Sequence, residues 1–98
     1  MRYSFHPEAV NEFLQSIDYY EDQQRELGLE FAGEIYKTIQ RVKAHPQTWT
    51  PLSKNIRRAL VQRFPFGVLF NHDEKNDHLF IVAVMHLKRE PTYWQDRI

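Results

Sequence analysis

The sequence predicts an α+β fold in which a helical hairpin packs on one face of a twisted, mainly antiparallel sheet. In the first half, two segments repeat apolar residues at three- and four-residue steps, as amphipathic helices do. The last third contains three β-type runs, and one of them, residues 79–85, is apolar throughout. A short alternating run at the N terminus adds a strand. The order strand, helix, helix, strand, strand, strand is typical of α+β domains.

The first half opens with a short strand, because Tyr3 and Phe5 alternate with polar residues. Pro7 suits the first turn of the helix that follows. We predict helices over residues 8–26 and 29–44, separated where Gly28 adopts a left-handed C-terminal cap. The apolar stripe expected to face inward comprises Val10, Phe13, Leu14, Ile17, Tyr20, Phe31, Ile35, Ile39 and Val42. The charged residues expected to face outward are Glu8, Glu12, Asp18, Glu21, Asp22, Glu30, Glu34, Lys37, Arg41 and Lys43.

The second half begins after Pro46, which ends the second helix near His45. A proline-containing connector then runs to residue 55. Three strands follow, near residues 57–63, 66–71 and 79–86, and we expect them to form an antiparallel meander with the longest apolar strand at the centre of the sheet. Strand alternation would place Arg57 and Arg63 on one face and Arg58 on the other.

Length and composition restrict the class of protein. A chain of 98 residues is long enough for one core, so we expect a single domain over residues 1–98. The absence of cysteine excludes disulfides, thiolate nucleophiles and cysteine-ligated metals. No apolar run is long enough for a signal peptide or a membrane span. The expected location is therefore the cytoplasm, without membrane association.

The charge distribution points to a local binding surface. The formal net charge of zero argues against a broad nucleic-acid interface, which needs several phosphate-neutralising cations. The two halves nevertheless differ: residues 1–49 carry five basic and eight acidic residues, and residues 50–98 carry eight basic and five acidic residues. The basic half coincides with the predicted sheet, where an anion or an acidic partner could bind.

Several motifs together resemble the RelE/ParE superfamily of toxins from bacterial type II toxin-antitoxin systems. They are the helix opening H-P-E-A, the strand pair R-R-x-L-V-x-R-F-P-F-x-V-x-F and the ending A-V-M-H-L-K-R-E-P-T-Y-W. The similarity covers residues 3–94. Its most specific part is H-x-x-R-x-P-x-Y-W, formed by His86, Arg89, Pro91, Tyr93 and Trp94, which resembles the ParE-type, plasmid-stabilisation branch. The resemblance implies a small toxin silenced by a cognate antitoxin whose tail wraps the toxin surface.

This superfamily contains ribosome-dependent mRNA endonucleases and inhibitors of DNA gyrase, and the sequence favours gyrase inhibition. In the ribonuclease branch an arginine usually follows the aromatic residue that opens the third strand, whereas this chain has Gly67 there. Arg89 matches the C-terminal arginine of that branch. The branch also has a tyrosine a few positions further on, and in this chain only Tyr93 lies near that position. The neutral net charge and the ParE-type ending agree with the inhibitor. A non-toxic interaction module that kept the fold is a further alternative.

The candidate site residues follow from these alternatives. Metal-independent RNA cleavage needs a base, an acid and cations for the phosphate. If the chain is a ribonuclease, those roles fall to His86, Arg89, Tyr93, Arg63 and Arg58. The residues expected to contact the target or the antitoxin are Arg57, Arg58, Arg63, Lys88, Arg89, Tyr93 and Trp94. A structural interpretation competes with both: His86 as a half-buried, hydrogen-bonded strand end, and Tyr93 with Trp94 as an apolar clasp on the C terminus.

Metals and cofactors have no support in the sequence. His72 and His78 flank acidic residues in a polar loop, but their spacing matches no structural zinc pattern. We therefore expect neither a metal nor a cofactor. The expected partners are a cognate antitoxin and either DNA gyrase or the ribosome with its mRNA. A toxin dimer and a toxin-antitoxin heterotetramer both stay open.

Overall fold

A computed structural model describes all residues from 1 to 98 and confirms the α+β class. Two helices and five strands succeed one another along the chain, and a short 3-10 helix, Gln95–Arg97, ends it. In chain order they are β1 (Arg2–Phe5), α1 (Pro7–Gln23), α2 (Leu27–Ala44), β2 (Thr50–Pro51), β3 (Arg57–Leu60), β4 (Phe66–Asp73) and β5 (His78–His86). Neither helix is both long and apolar enough to cross a membrane.

The sheet is mixed and has five strands in the order β1-β5-β4-β3-β2. Strand β1 runs parallel to β5, and the other neighbours are antiparallel. The predicted three-stranded meander is therefore incomplete, because β2 extends it beyond β3. Two residues containing a proline are too short to produce a recognisable period, so the sequence indicated only an irregular connector there. Strand β5 is internal, as predicted.

Strand β5 contains an irregularity that shapes the site. Leu69 pairs with Ala83 and Phe70 pairs with Ile81, so Val82 is an extra residue without a partner on β4. Strand β1 pairs with β5 only as far as Ile81. From Val82 onward, one edge of β5 therefore has no neighbouring strand.

Apolar side chains cover both faces of the sheet. On the face toward the helices, which we call the helix-side face, α2 packs against alternate residues of β3, β4 and β5. The opposite face carries a second, smaller cluster: Ile56, Leu69, Val82, Ala83, Met85 and Trp94. Trp94 is only 2% exposed, and its indole N–H donates to the carbonyl of Pro91 at 2.7 Å. The C-terminal segment is thus anchored on the face that the helices leave uncovered.

The prediction for Gly28 is wrong in its mechanism. The chain breaks between the helices at residues 24–26, and Glu26, not Gly28, adopts the left-handed conformation with φ of 70°. Gly28 lies inside α2, where a Cβ would come within 2.5 Å of the carbonyl oxygen of Ile17. The carboxylate of Glu21 accepts from the backbone N–H groups of Glu26 and Gly28 and so caps α2. Gly28 is needed for the close approach of α1 to α2.

Several predicted burial positions are also wrong. Val10 and Leu14 are 38% and 53% exposed, whereas Glu34 is buried and Glu12 is largely buried. The two carboxylates reach cationic partners from other parts of the chain, which a helical period alone cannot reveal. The strand predicted to extend to residue 63 ends at Leu60.

Candidate functional site

A groove of about 510 Å³ lies between α1 and the uncovered edge of β5. Helix α1 contributes five of its lining residues, and the end of the sheet with the segment after it contributes the rest. They are Glu12, Gln15, Ser16, Tyr19 and Tyr20 on the helix side, and Pro65, Phe66, Val84, His86 and Arg89 on the sheet side. Aromatic rings and aliphatic carbons therefore meet a few charged groups at one edge of the fold, an arrangement suited to binding.

Glu12 is the centre of the charged part of this site. Its carboxylate accepts from both terminal nitrogens of Arg97 at 2.9 Å and from Nη1 of Arg89 at 3.1 Å. It also accepts from the backbone N–H of Val84 at 3.0 Å, and Arg97 donates to the carbonyl of Val82 at 3.1 Å. The Glu12–Arg97 pair thus satisfies the backbone groups that a neighbouring strand would otherwise bind.

Tyr93 packs against the same cations. The guanidinium carbon of Arg89 lies 3.7 Å from its ring centroid, and that of Arg97 lies 4.9 Å away. Its hydroxyl is buried without a hydrogen-bond partner. Burial raises the pKa of Tyr93 well above its ordinary value, and the Glu12 carboxylate raises it further. The hydroxyl therefore stays protonated at neutral pH and is a poor acid or base.

His86 and Arg89 are the two predicted site residues that line the groove together. Nδ1 of His86 accepts from the backbone N–H of Lys88 at 3.1 Å, so the proton of the neutral ring lies on Nε2. The ring meets Phe66 edge to face, with 5.1 Å between centroids. Arg89 is 51% exposed although it contacts Glu12. A half-exposed guanidinium beside an imidazole can bind a carboxylate, a phosphate or a carbonyl.

The other predicted arginines lie elsewhere. Arg57 donates to the carbonyl of Trp49 at 2.7 Å. Arg63 lies in the turn after β3 with φ of 71° and pairs with Glu30 and Glu34 of α2. These hydrogen bonds, that of Glu30 first, raise the pKa of Arg63. Arg57 and Arg63 do not share a strand face as predicted, because the strand ends before Arg63.

Arg58 belongs to a second, partly exposed area, which we call the Gly67 surface and define by Arg58, Leu60, Gly67 and Leu87; Gly67 itself is buried, and Nε of Arg58 is buried without a hydrogen-bond partner. A Cβ on Gly67 would lie 3.0 Å from Cγ of Arg58 and 3.7 Å from Cδ2 of Leu87, so both side chains flank the glycine. Leu60 pairs with Gly67 across β3 and β4. Leu60 and Leu87 are 50% and 41% exposed. The surface combines apolar and basic groups.

The residues that sequence reasoning missed are Glu12 and Arg97. The helical period places Glu12 on the solvent face of α1, and none of the motifs includes Arg97. They are 85 residues apart, and only the tertiary fold brings them together. The burial of Arg97 has no local signal in the sequence.

No group of three or more histidine, aspartate or glutamate side chains is arranged to hold a metal ion. His78 hydrogen-bonds Ser4 at 3.0 Å, and His72 lies 3.3 Å from the amide nitrogen of Gln47. Neither histidine faces the groove.

Comparison with known proteins adds a family and a fold. Residues 3–91 match the family described as ParE toxin of the type II toxin-antitoxin system, parDE. Among solved structures, the chain is similar to one from the chromosomal ParDE toxin-antitoxin system of P. aeruginosa, with a TM-score of 0.75 and 14% identity. The match covers 90% of this chain and 97% of that chain, and at this identity it shows a shared fold. No sequence among curated proteins is significantly similar.

Proposed function

The chain belongs to the ParE toxin family of type II toxin-antitoxin systems, and we propose that it inhibits DNA gyrase by surface binding and is neutralised by a cognate antitoxin. The observation that carries the choice of target is the dispersal of the five residues that a ribonuclease would use. His86 and Arg89 share one groove, Tyr93 lies behind Arg89, Arg58 lies on the opposite face of the sheet, and Arg63 pairs with α2. An inhibitor needs a complementary surface and no assembled catalytic set.

The charges in the groove support the same choice. RNA cleavage develops negative charge on the phosphate, and uncompensated cations must face it. Here the cations nearest the groove, Arg89 and Arg97, already contact the Glu12 carboxylate, which itself lines the groove. An anionic group at that place disfavours a phosphate.

We place the gyrase contact at the end of the sheet, on Lys88, Arg89 and the open part of the groove. Arg89 is half exposed, so the free N–H groups of its fork can donate to carbonyl oxygens of the target. Arg89→Lys should therefore be only partly tolerated. Trp94 acts by anchoring the C-terminal segment, since its side chain is almost completely buried.

We place the antitoxin contact on the Gly67 surface. Its exposed leucines would accept the apolar face of a bound segment, and the guanidinium of Arg58 would attract acidic residues. Strand β2 pairs only with Arg57 and Arg58, so the β3 edge at Ala59 and Leu60 has no strand neighbour. An acidic, amphipathic segment could bind there by strand addition. Both contacts belong to a toxin that acts in the cytoplasm as a single domain over residues 1–98.

The target is tested with purified toxin in two assays: supercoiling by gyrase, and cleavage of a ribosome-bound message mapped by primer extension. We expect supercoiling to be blocked and the message to stay intact. Arg89→Ala should weaken the inhibition, and the control Arg63→Ala should not, because Arg63 pairs with α2 away from the groove. Cuts at discrete positions that disappear in Arg89→Ala or His86→Ala, with gyrase unaffected, would establish the ribonuclease instead.

The antitoxin contact is tested by co-purification with the product of a neighbouring small reading frame. Leu60→Asp should reduce complex formation strongly, and Leu52→Asp, at an exposed leucine in the connector, should not. Induction in a host separates a toxin from a non-toxic interaction module. We expect growth arrest, and a chain that is harmless and without a partner would contradict the proposal.

A further inference from the structure

The edge of β5 that faces the groove carries backbone groups that no strand binds. Along an antiparallel strand, alternate residues bond to the same neighbour. Leu87 donates its N–H to the carbonyl of Pro65, so Val84 and His86 direct their backbone groups away from β4. Strand β1 pairs with β5 only as far as Ile81, so no strand lies on that side. Backbone groups at such an edge can bind another chain.

Two of the four backbone groups of Val84 and His86 are bound inside the chain. The N–H of Val84 donates to the carboxylate of Glu12 at 3.0 Å. The carbonyl of His86 accepts from the N–H of Arg89 at 3.0 Å. The carbonyl of Val84 and the N–H of His86 stay free, and both residues line the groove. The groove therefore offers one main-chain acceptor and one main-chain donor on the same strand edge.

A free acceptor followed two residues later by a free donor fits a segment that runs parallel to β5. In a parallel pair, one residue donates to a residue of the neighbouring strand and accepts from the residue two positions further along. A single residue of an incoming segment can therefore donate to Val84 and accept from His86. An antiparallel segment would need both backbone groups of one of these residues, and one group of each is already bound. The parallel direction is also that of β1, whose line the segment would continue.

The side chains around this edge favour an uncharged, extended peptide. The neutral ring of His86 carries its proton on Nε2, and Arg89 is half exposed, so both side chains can donate to carbonyl oxygens of a bound main chain. The residue of the segment that lies beside His86 would place its side chain near Tyr20 and Phe66, where an apolar group fits. The carboxylate of Glu12 in the same groove disfavours an acidic side chain.

We propose that the groove is a strand-addition site, in which an extended segment of gyrase runs parallel to β5, hydrogen-bonds Val84 and His86, and inserts an apolar side chain between α1 and the end of the sheet. This inference rests on the proposed inhibition of gyrase and names the way in which the target is bound. The β1 side and the β3 side are opposite sides of the sheet. The segment therefore leaves the β3 edge open for the antitoxin.

Two substitutions of one residue separate the main-chain bond from the side chain. His86→Ala removes the ring and keeps the N–H, whereas His86→Pro removes both. Proline is tolerated at a strand edge where the N–H has no strand partner, and Met85 before it already has strand geometry. We expect the toxin concentration that half-inhibits supercoiling to rise by about threefold for His86→Ala and by about thirtyfold for His86→Pro. Thermal unfolding followed by circular dichroism checks that both variants fold.

A second pair of variants tests the site without changing the strand. Ser16 lines the groove, and Asp18 is an exposed residue of the same helix outside it. Ser16→Phe fills the space that the apolar side chain of the segment needs, so it should weaken inhibition by about tenfold or more. Asp18→Phe is the matched control and should inhibit like the unmodified toxin. This pair also decides the matter if His86→Pro fails to fold.

Hydrogen exchange of the toxin amides, with and without gyrase, locates the contact directly. The exchange is read by NMR after the complex is dissociated. The amide of His86 should exchange rapidly in the free chain and at least about tenfold more slowly in the complex. The amide of Val84 donates to Glu12 in the free chain, so it should exchange slowly in both states.

The outcomes distinguish this inference from the proposed function. If the unmodified toxin does not block supercoiling, both are wrong. If it blocks supercoiling, but His86→Pro is as active as His86→Ala and Ser16→Phe is as active as Asp18→Phe, gyrase is the target and the strand-addition site is wrong. If the antitoxin protects the amide of His86 and gyrase does not, the edge belongs to the antitoxin, and the inference is again overturned.

Discussion

The substitution Glu12→Gln should lower the free energy of unfolding by about 3 kcal/mol. Glutamine keeps the shape of the side chain, and its amide oxygen can still accept from the backbone of Val84. It removes the negative charge that Arg97 contacts through both terminal nitrogens. Since the side chain of Arg97 is only 8% exposed, its guanidinium is left buried without a counter-charge. Breaking a buried pair from one side costs about 3–5 kcal/mol, and the hydrogen bond that remains places this variant at the lower end.

A second variant shows whether burial determines the effect. Arg89 contacts the same carboxylate but is 51% exposed, so solvent screens this ion pair. Arg89→Ala should cost less than about 1 kcal/mol through the lost ion pair. Both variants therefore break an ion pair of the Glu12 carboxylate, and they differ in whether the arginine of that pair is buried or exposed.

The free energy of unfolding is measured at neutral pH by urea unfolding, followed by the fluorescence of Trp49 and Trp94. The melting temperature is measured by thermal unfolding, followed by circular dichroism. For a domain of this size, 1 kcal/mol shifts the melting temperature by about 4–8 °C, so Glu12→Gln should melt about 12–24 °C lower. A loss below about 1 kcal/mol, or one equal to that of Arg89→Ala, would refute the reasoning that the buried guanidinium of Arg97 depends on the charge of Glu12.

Four further variants test other parts of the account. Gly28→Ala should destabilise the protein by about 1–3 kcal/mol, because its methyl group meets the backbone of α1. Gly33→Ala should stabilise it by up to about 1 kcal/mol, because its methyl group has free space and alanine favours the helix. Equal shifts in the melting temperatures of the two variants would contradict this contrast. Folding raises the pKa of Tyr93, so the stability that the neutral hydroxyl contributes is present below about pH 10 and is lost as the pH rises further. Tyr93→Phe should therefore lose less stability than the parent between about pH 8 and about pH 11, and identical pH profiles in urea unfolding would count against it. Trp94→Ala should cost about 3–5 kcal/mol, measured by circular dichroism, and a small effect would show that the C-terminal segment is not anchored by its indole.

The fold class could be predicted because periodicity is strong in the long elements. Both helices and the apolar strand β5 were identified to within a few residues. Strand β2 could not be predicted, because two residues contain no period. The sequence predicts that β3 continues to residue 63, but the strand ends at Leu60, and Arg63 lies in the turn that follows with a left-handed conformation that its side chain does not indicate.

The candidate site was predicted only in part. The C-terminal motif identified His86 and Arg89, which the structure brings into one groove. It also identified Trp94, whose side chain is buried and can act only through packing. The sequence does not indicate Glu12 and Arg97, because their pairing depends on where β1 ends. Beyond Ile81, the backbone of β5 has no strand partner on this side, and the side chains of Glu12 and Arg97 bind the backbone groups of Val84 and Val82 instead. Sequence spacing carries no information on such a contact.

Supercoiling by DNA gyrase in the presence of the purified toxin tests the central claim most directly. The assay is run beside primer extension on a ribosome-bound message, with Arg89→Ala and Arg63→Ala in both. The account predicts that the toxin blocks supercoiling, that Arg89→Ala weakens the block while Arg63→Ala keeps it, and that the message stays whole. Unimpaired supercoiling together with a message cut at discrete positions would contradict it.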